Sequence, residues 1–191
     1  MIRKRPKVVI LFVGFMLLGA LGRGAVAIGS GNGDDDGTVN MNLRFAGTFI
    51  NSIQYVAPAT GELTGSPLIR LKAKGSPGAC EITLFGGQDE AFPSECCDGG
   101  GPCLTILVTE NPLVFTFNDL SLLFATGSGE VCIDLLTGRG TGTIDLTFTG
   151  GTGRFEGATG EAVTVFEINP VSSNGSFSSE TGTTVGTILL P

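Results

Sequence analysis

The residues of this chain with the most chemistry to offer are its five cysteines, Cys80, Cys96, Cys97, Cys103 and Cys132. Cys96, Cys97 and Cys103 share one stretch rich in glycine, proline and acids. Thiols set that close either oxidise to disulfides or ligate a metal. A metal held by those three would need a fourth ligand from Asp98 or Glu95, because the chain contains no histidine. Disulfides are the expected state for a chain exported to an oxidising compartment. One bond within the stretch and one from it to Cys80 or Cys132 would pin the segment and leave one thiol over. No metal site is expected.

The missing histidine also removes Ser-His-Asp and Cys-His catalysis. A second candidate for chemistry is the run Thr149-Gly150-Gly151-Thr152-Gly153-Arg154-Phe155-Glu156-Gly157-Ala158-Thr159-Gly160. Glycines after a strand can present backbone N–H groups to a pyrophosphate when a helix follows. Here Glu156 stands where the next glycine is required, Gly157 comes one residue late, and Glu161 to Ile168 has the period of a strand. No Gly-Lys-Ser/Thr occurs either. A nucleotide site is therefore not supported, and no cofactor is expected. Asn32, Asp34, Asp36 and Gly37 match the opening of a calcium loop, but Leu43 occupies the place of its closing glutamate. That leaves an acidic linker.

The elements that must position these residues begin after a leader. Arg3, Lys4, Arg5 and Lys7 precede the apolar run Val8–Leu21, and Ala25-Val26-Ala27 fits a small-residue cleavage site. The run is shorter than the about 20 apolar residues of a membrane span. Residues 1–27 are thus read as a cleaved signal peptide, and 28–38 as a flexible Gly/Asp-rich lead-in. A secreted or periplasmic location follows, with no membrane association after cleavage. The leader holds five of the 11 basic residues and none of the 18 acidic ones, so six bases face 18 acids in the remainder, a net charge of −12. Such a chain repels phosphate backbones, and nucleic acid is excluded as a partner.

From Val39 onward the sequence alternates. Val39, Met41, Leu43, Phe45 and Phe49 share one face, with Asn40, Asn42, Arg44 and Thr48 on the other. Period two recurs at Ile53–Ala57, Ile69–Ala73, Cys80–Leu84, Leu104–Val108 and Leu113–Phe117, with Leu122–Ala125 close behind, and again at Val131–Leu135, Ile144–Phe148, Ala162–Ile168 and Thr183–Leu190. Residues 86–103 read as a long loop. Roughly ten strands with turn signals every 8–12 residues, and 31 glycines, predict an all-β domain over residues 39–191. A closed antiparallel β-barrel is favoured, because closure removes exposed edges.

The pattern Gly150-Gly151-Thr152-Gly153-x-Phe155-x-x-Ala158-x-Gly160 resembles the signature of the allene oxide cyclase and dirigent families. It is also similar to secreted bacterial proteins bearing Gly-Gly-Thr-Gly-Arg-Phe. The resemblance covers about a dozen residues closely. It implies an eight-stranded barrel with a central apolar cavity, in which surplus sequence runs are halves of strands split by bulges. The motif itself is expected to be structural: glycines permit positive φ, Phe155 plugs a barrel end, and Ala158 and Gly160 let backbones approach. The cyclases rely on a glutamate early in the first strands, and Asn40–Arg44 offers no matching acid. The dirigent resemblance directs attention to Asp119, Asp134 and Asp145, for which solvent exposure is expected. No catalytic residue is therefore assigned. The sequence favours a non-catalytic barrel that binds a small hydrophobic molecule. A cyclase or isomerase and a structural or adhesive surface protein stand as alternatives. Nothing in the sequence sets an oligomeric state.

Overall fold

The computed structural model describes residues 37–50, 54–55, 63–64, 68–86, 90–96, 101–172 and 177–191. The leader and the calcium-like run up to Asp36 lie outside the described residues. Strands β1 (Thr38–Ile50), β4 (Leu68–Ser76), β5 (Cys80–Phe85), β7 (Cys103–Phe117), β8 (Leu122–Asp134), β9 (Gly140–Gly151), β10 (Thr159–Pro170) and β11 (Phe177–Leu189) pair antiparallel in the order β5-β4-β1-β11-β10-β9-β8-β7. A further β5–β7 pairing, Cys80 opposite Phe117 through Leu84 opposite Leu113, shuts the cylinder. The fold is a closed, eight-stranded antiparallel β-barrel. Strand β6 (Glu90–Ser94) lies along the first half of β7, and β2 (Gln54–Tyr55) pairs with β3 (Leu63–Thr64) as a separate ribbon.

Alternation explains most of the wall. Along β1, Met41, Leu43, Phe45 and Phe49 are buried while Asn40, Asn42, Arg44 and Thr48 are exposed. Two runs of opposite phase, Leu104–Val108 and Leu113–Phe117, turn out to be one strand. Its register shifts between Val108 and Asn111, where Glu110 takes φ 52°. One extra residue in a strand moves every later side chain to the other face. The bulge thus keeps both runs pointing inward. The expected loop 86–103 is corrected in part, since it contains β6. That segment, Glu90-Ala91-Phe92-Pro93-Ser94, carries one buried residue, Ala91. A short strand with an exposed proline leaves little periodic signal.

The interior is one apolar cluster built from inward rows of all eight barrel strands. Phe115 and Phe148 meet edge to face at 6.2 Å between centroids. The large residues fit because neighbours are small: a Cβ on Gly127 would stand 2.9 Å from Ile144 and 3.0 Å from Leu113.

Candidate functional site

The glycine-rich motif closes one end of the barrel. Gly150 and Gly151 still belong to β9, a single 3-10 turn spans Gly153–Phe155, and β10 starts at Thr159. Thr152 ties this connection to the turn between β7 and β8: its N–H donates to the Leu122 carbonyl at 2.8 Å, and its hydroxyl accepts the Leu122 N–H at 3.1 Å. Phe155 is 1 % exposed and packs on Phe117 at 4.7 Å. The Arg154 guanidinium lies over both rings, 4.8 and 4.7 Å from their centroids, and pairs with Asp119 at 3.4 Å. Gly153 sits at φ 62° with the Ser121 hydroxyl 2.5 Å from where a Cβ would be. A side chain there would be strained twice over. Ala158 is buried, and Gly160 faces the Thr187 carbonyl too closely for a Cβ. Thr152, Ser121 and Arg154 are thus each engaged by a protein partner.

The cysteines lie in two places. Cys96, just past β6, bonds Cys132 on β8 across the intervening β7. Cys103 on β7 is also disulfide-bonded, and Cys97 lies outside the described residues. The sulfurs of Cys96, Cys103 and Cys132 are within 4.8 Å of one another. Oxidised sulfur offers no thiolate to an ion, so this cluster is a staple rather than a metal cradle. Cys80 is free and buried; loss of hydration pushes its thiol up to about 12, with Arg154 opposing weakly.

The three aspartates singled out from the sequence all sit at the surface. Asp119 accepts the Ser121 N–H and pairs with Arg154. Asp134 caps a turn by accepting the N–H groups of Leu136 and Thr137, which hold its carboxyl below the usual range. Asp145 is on the exposed face of β9.

The acid that does enter the barrel is Glu180, on a strand whose first half the periodicity did not reveal. Inward positions of β11 are Ser178, Glu180, Gly182, Thr184, Gly186 and Ile188. Glu180 is 7 % exposed. It stands opposite Gly47 on β1 and Ile168 on β10, neither of which has a side-chain donor. Among the described residues no cation lies within ion-pair distance of it. Burial alone pushes its carboxyl up to about 7. It lies three residues in from the start of β11, at the barrel end opposite the motif, with buried Ser178 nearer that end and the Thr164–Thr184 hydroxyl pair, 2.9 Å apart, farther in. The signal was present in the sequence: stepping back by twos from Ile188 lands on Glu180. A neutral carboxyl in an apolar tube can donate one hydrogen bond and accept another, and near neutral pH it can exchange a proton.

No family profile matches the chain, and no curated protein or solved structure is similar enough to match it.

Proposed function

We propose that the chain is an exported β-barrel protein that takes a small, mostly apolar molecule through the mouth opposite the glycine-rich cap, with Glu180 as its polar anchor. The observation that carries this reading is Glu180 itself: a nearly buried carboxyl, flanked by glycine and isoleucine, with no cation beside it among the described residues. Such a group weakens the fold when ionised and is retained most readily where a ligand uses it. Ser178 and the Thr164–Thr184 pair supply the few additional polar contacts that orient a ligand in an apolar site. The −12 balance and the five cysteines fit an extracellular setting.

The same residue favours one second reading, isomerisation or cyclisation of a reactive apolar substrate in the manner of allene oxide cyclase. A carboxyl poised at about 7 can give and take a proton near neutrality. Native mass spectrometry of protein from its own host tests the binding reading. A co-purified apolar compound is expected on the natural chain and lost from Glu180→Gln. An empty natural chain, or equal loading of the variant, would defeat it. A bound compound released with altered connectivity would move the reading to catalysis.

A further inference from the structure

The outer wall of the barrel carries a charge arrangement that the interior does not explain. Beyond the leader the chain has six basic residues, Arg44, Arg70, Lys72, Lys74, Arg139 and Arg154. Four of them stand together on the exposed face of β1 and β4. Arg44 is directly opposite Lys74 across the two strands, and Lys72 is the next outward residue along β4. Like charges set opposite one another weaken a sheet. Glu81 on β5 faces Lys72 and pairs with Arg70 at 4.0 Å. Among the described residues no acid lies within 4 Å of Arg44, Lys72 or Lys74. In a chain with three times as many acids as bases beyond the leader, a cluster of four cations on one face concentrates positive potential there.

Arg44, Lys72 and Lys74 line an open groove of about 890 Å³, whose wall continues past Glu81, already engaged by Arg70, through Thr116 and Asn118 to Leu120. Leu120 supplies a second, independent oddity. It holds φ 65°, a conformation that suits glycine, in the turn between β7 and β8, and it is 80 % exposed. The turn geometry is fixed by the Leu120 N–H on the Phe117 carbonyl at 2.9 Å and the Phe117 N–H on the Ser121 carbonyl at 3.0 Å. A leucine there is strained and buries nothing in the free protein. It does present an apolar lip to a groove whose opposite wall is cationic.

We propose that this groove binds an amphipathic oxyanion, an alkyl chain ending in a phosphate, sulfate or carboxylate, with the head group between Arg44 and Lys74 and the chain along Leu120. This groove opens on the outer wall, with the core residues Phe45, Ala73, Cys80 and Phe117 forming part of its lining, and it does not include Glu180. An oxyanion relieves the Arg44–Lys74 repulsion and accepts charge-assisted hydrogen bonds from both. The alkyl part removes Leu120 from water.

Titration calorimetry of the full chain, below micellar concentrations, tests it with four probes: decyl phosphate, inorganic phosphate, uncharged decyl maltoside, and vesicles rich in an anionic phospholipid. Decyl phosphate is expected to bind at least about tenfold more tightly than either of the next two, and to weaken as salt rises. The double variant Arg44→Gln/Lys74→Gln should lose about tenfold in affinity for decyl phosphate. Leu120→Gly should lose affinity several-fold while melting at a higher temperature, a combination that damage to the fold would not produce. Glu180→Gln should bind decyl phosphate as the natural chain does. Affinity unchanged in the double variant, or lost instead in Glu180→Gln, would place the ligand inside the barrel and overturn the proposal. Binding to vesicles with none to monomeric decyl phosphate would also overturn it, in favour of a membrane surface.

Discussion

The two ends of the barrel are built on opposite principles. At the capped end, Arg154 covers two aromatic rings and pairs with Asp119, Thr152 exchanges two hydrogen bonds with Leu122, and Phe155 is almost wholly buried. At the other end, a disulfide crosses β7 from Cys96 to Cys132, and Glu180 sits inside with no charge partner among the described residues. One end stabilises itself through local packing. The other is held covalently and contains a group that opposes folding once ionised. The contrast separates two kinds of group along the barrel axis: the motif that stands out in the sequence belongs to the end held by packing, and the buried, uncompensated carboxyl belongs to the other.

The sharpest way to break that contrast is at Phe155. Phe155→Ala removes a fully buried ring and should lower unfolding free energy by about 3–5 kcal/mol in a urea titration. It should do so without changing any ligand affinity at the mouth. A loss under about 1 kcal/mol would mean the cap is ornament and the two ends are alike. The mouth's counterpart is the double variant Cys96→Ala/Cys132→Ala. The bonded residues are 36 apart in sequence, and releasing that loop should cost about 2–4 kcal/mol. Here native-state hydrogen exchange separates the ends: protection should fall in β6, β7 and β8 near the mouth and persist around Thr152 and Phe155.

Much of this architecture could be read from residue order alone, and the failures have a common physical cause. Strand β1 was plain because Met41, Leu43, Phe45 and Phe49 are large and alternate with polar residues. Strand β8 looked like two fragments because its inward middle positions are Gly127 and Gly129, which carry no hydrophobic signal yet make room for Ile144 and Leu113. Strand β11 hid its first half for the same reason. Ser178, Glu180, Gly182, Thr184 and Gly186 face inward, and only Ile188 is large and apolar. A strand that contributes space rather than bulk has no hydrophobic period. Glu180 therefore stands out less in the sequence than the surface acids Asp119, Asp134 and Asp145, which sit in or beside strands with a visible period.

Glu180 sharpens the comparison through pH. Its carboxyl is raised from an ordinary 4.5 to about 7 in the folded chain. The folded state therefore holds the proton more tightly than the unfolded one. Stability contributed by the neutral form is fully present below about 4.5 and is lost as pH rises through about 7. The penalty above that point is about 3 kcal/mol. Glu180→Gln should thus be more stable than the natural chain at pH 8 by roughly that amount, and equal to it at pH 4, by thermal melts in matched buffers. A pH-independent difference between the two would show that the carboxyl is not buried uncharged, and the mouth would lose its distinction from the cap.

The smallest effect belongs to the Asp119–Arg154 pair, and it tests what holds the cap shut. Both side chains are near half exposed, at 43 % and 41 %, so the ion pair itself should contribute about 0–1 kcal/mol and vanish in 1 M salt. Asp119→Asn keeps an acceptor for the Ser121 N–H and should change stability by no more than about 0.5 kcal/mol. Arg154→Ala should cost about 1–2 kcal/mol even at high salt, because it uncovers Phe117 and Phe155 as well as removing a charge. If the two variants cost the same, and both effects disappear with salt, the cap is held by charge and not by stacking. The packing account of that end would then fail at its most exposed point.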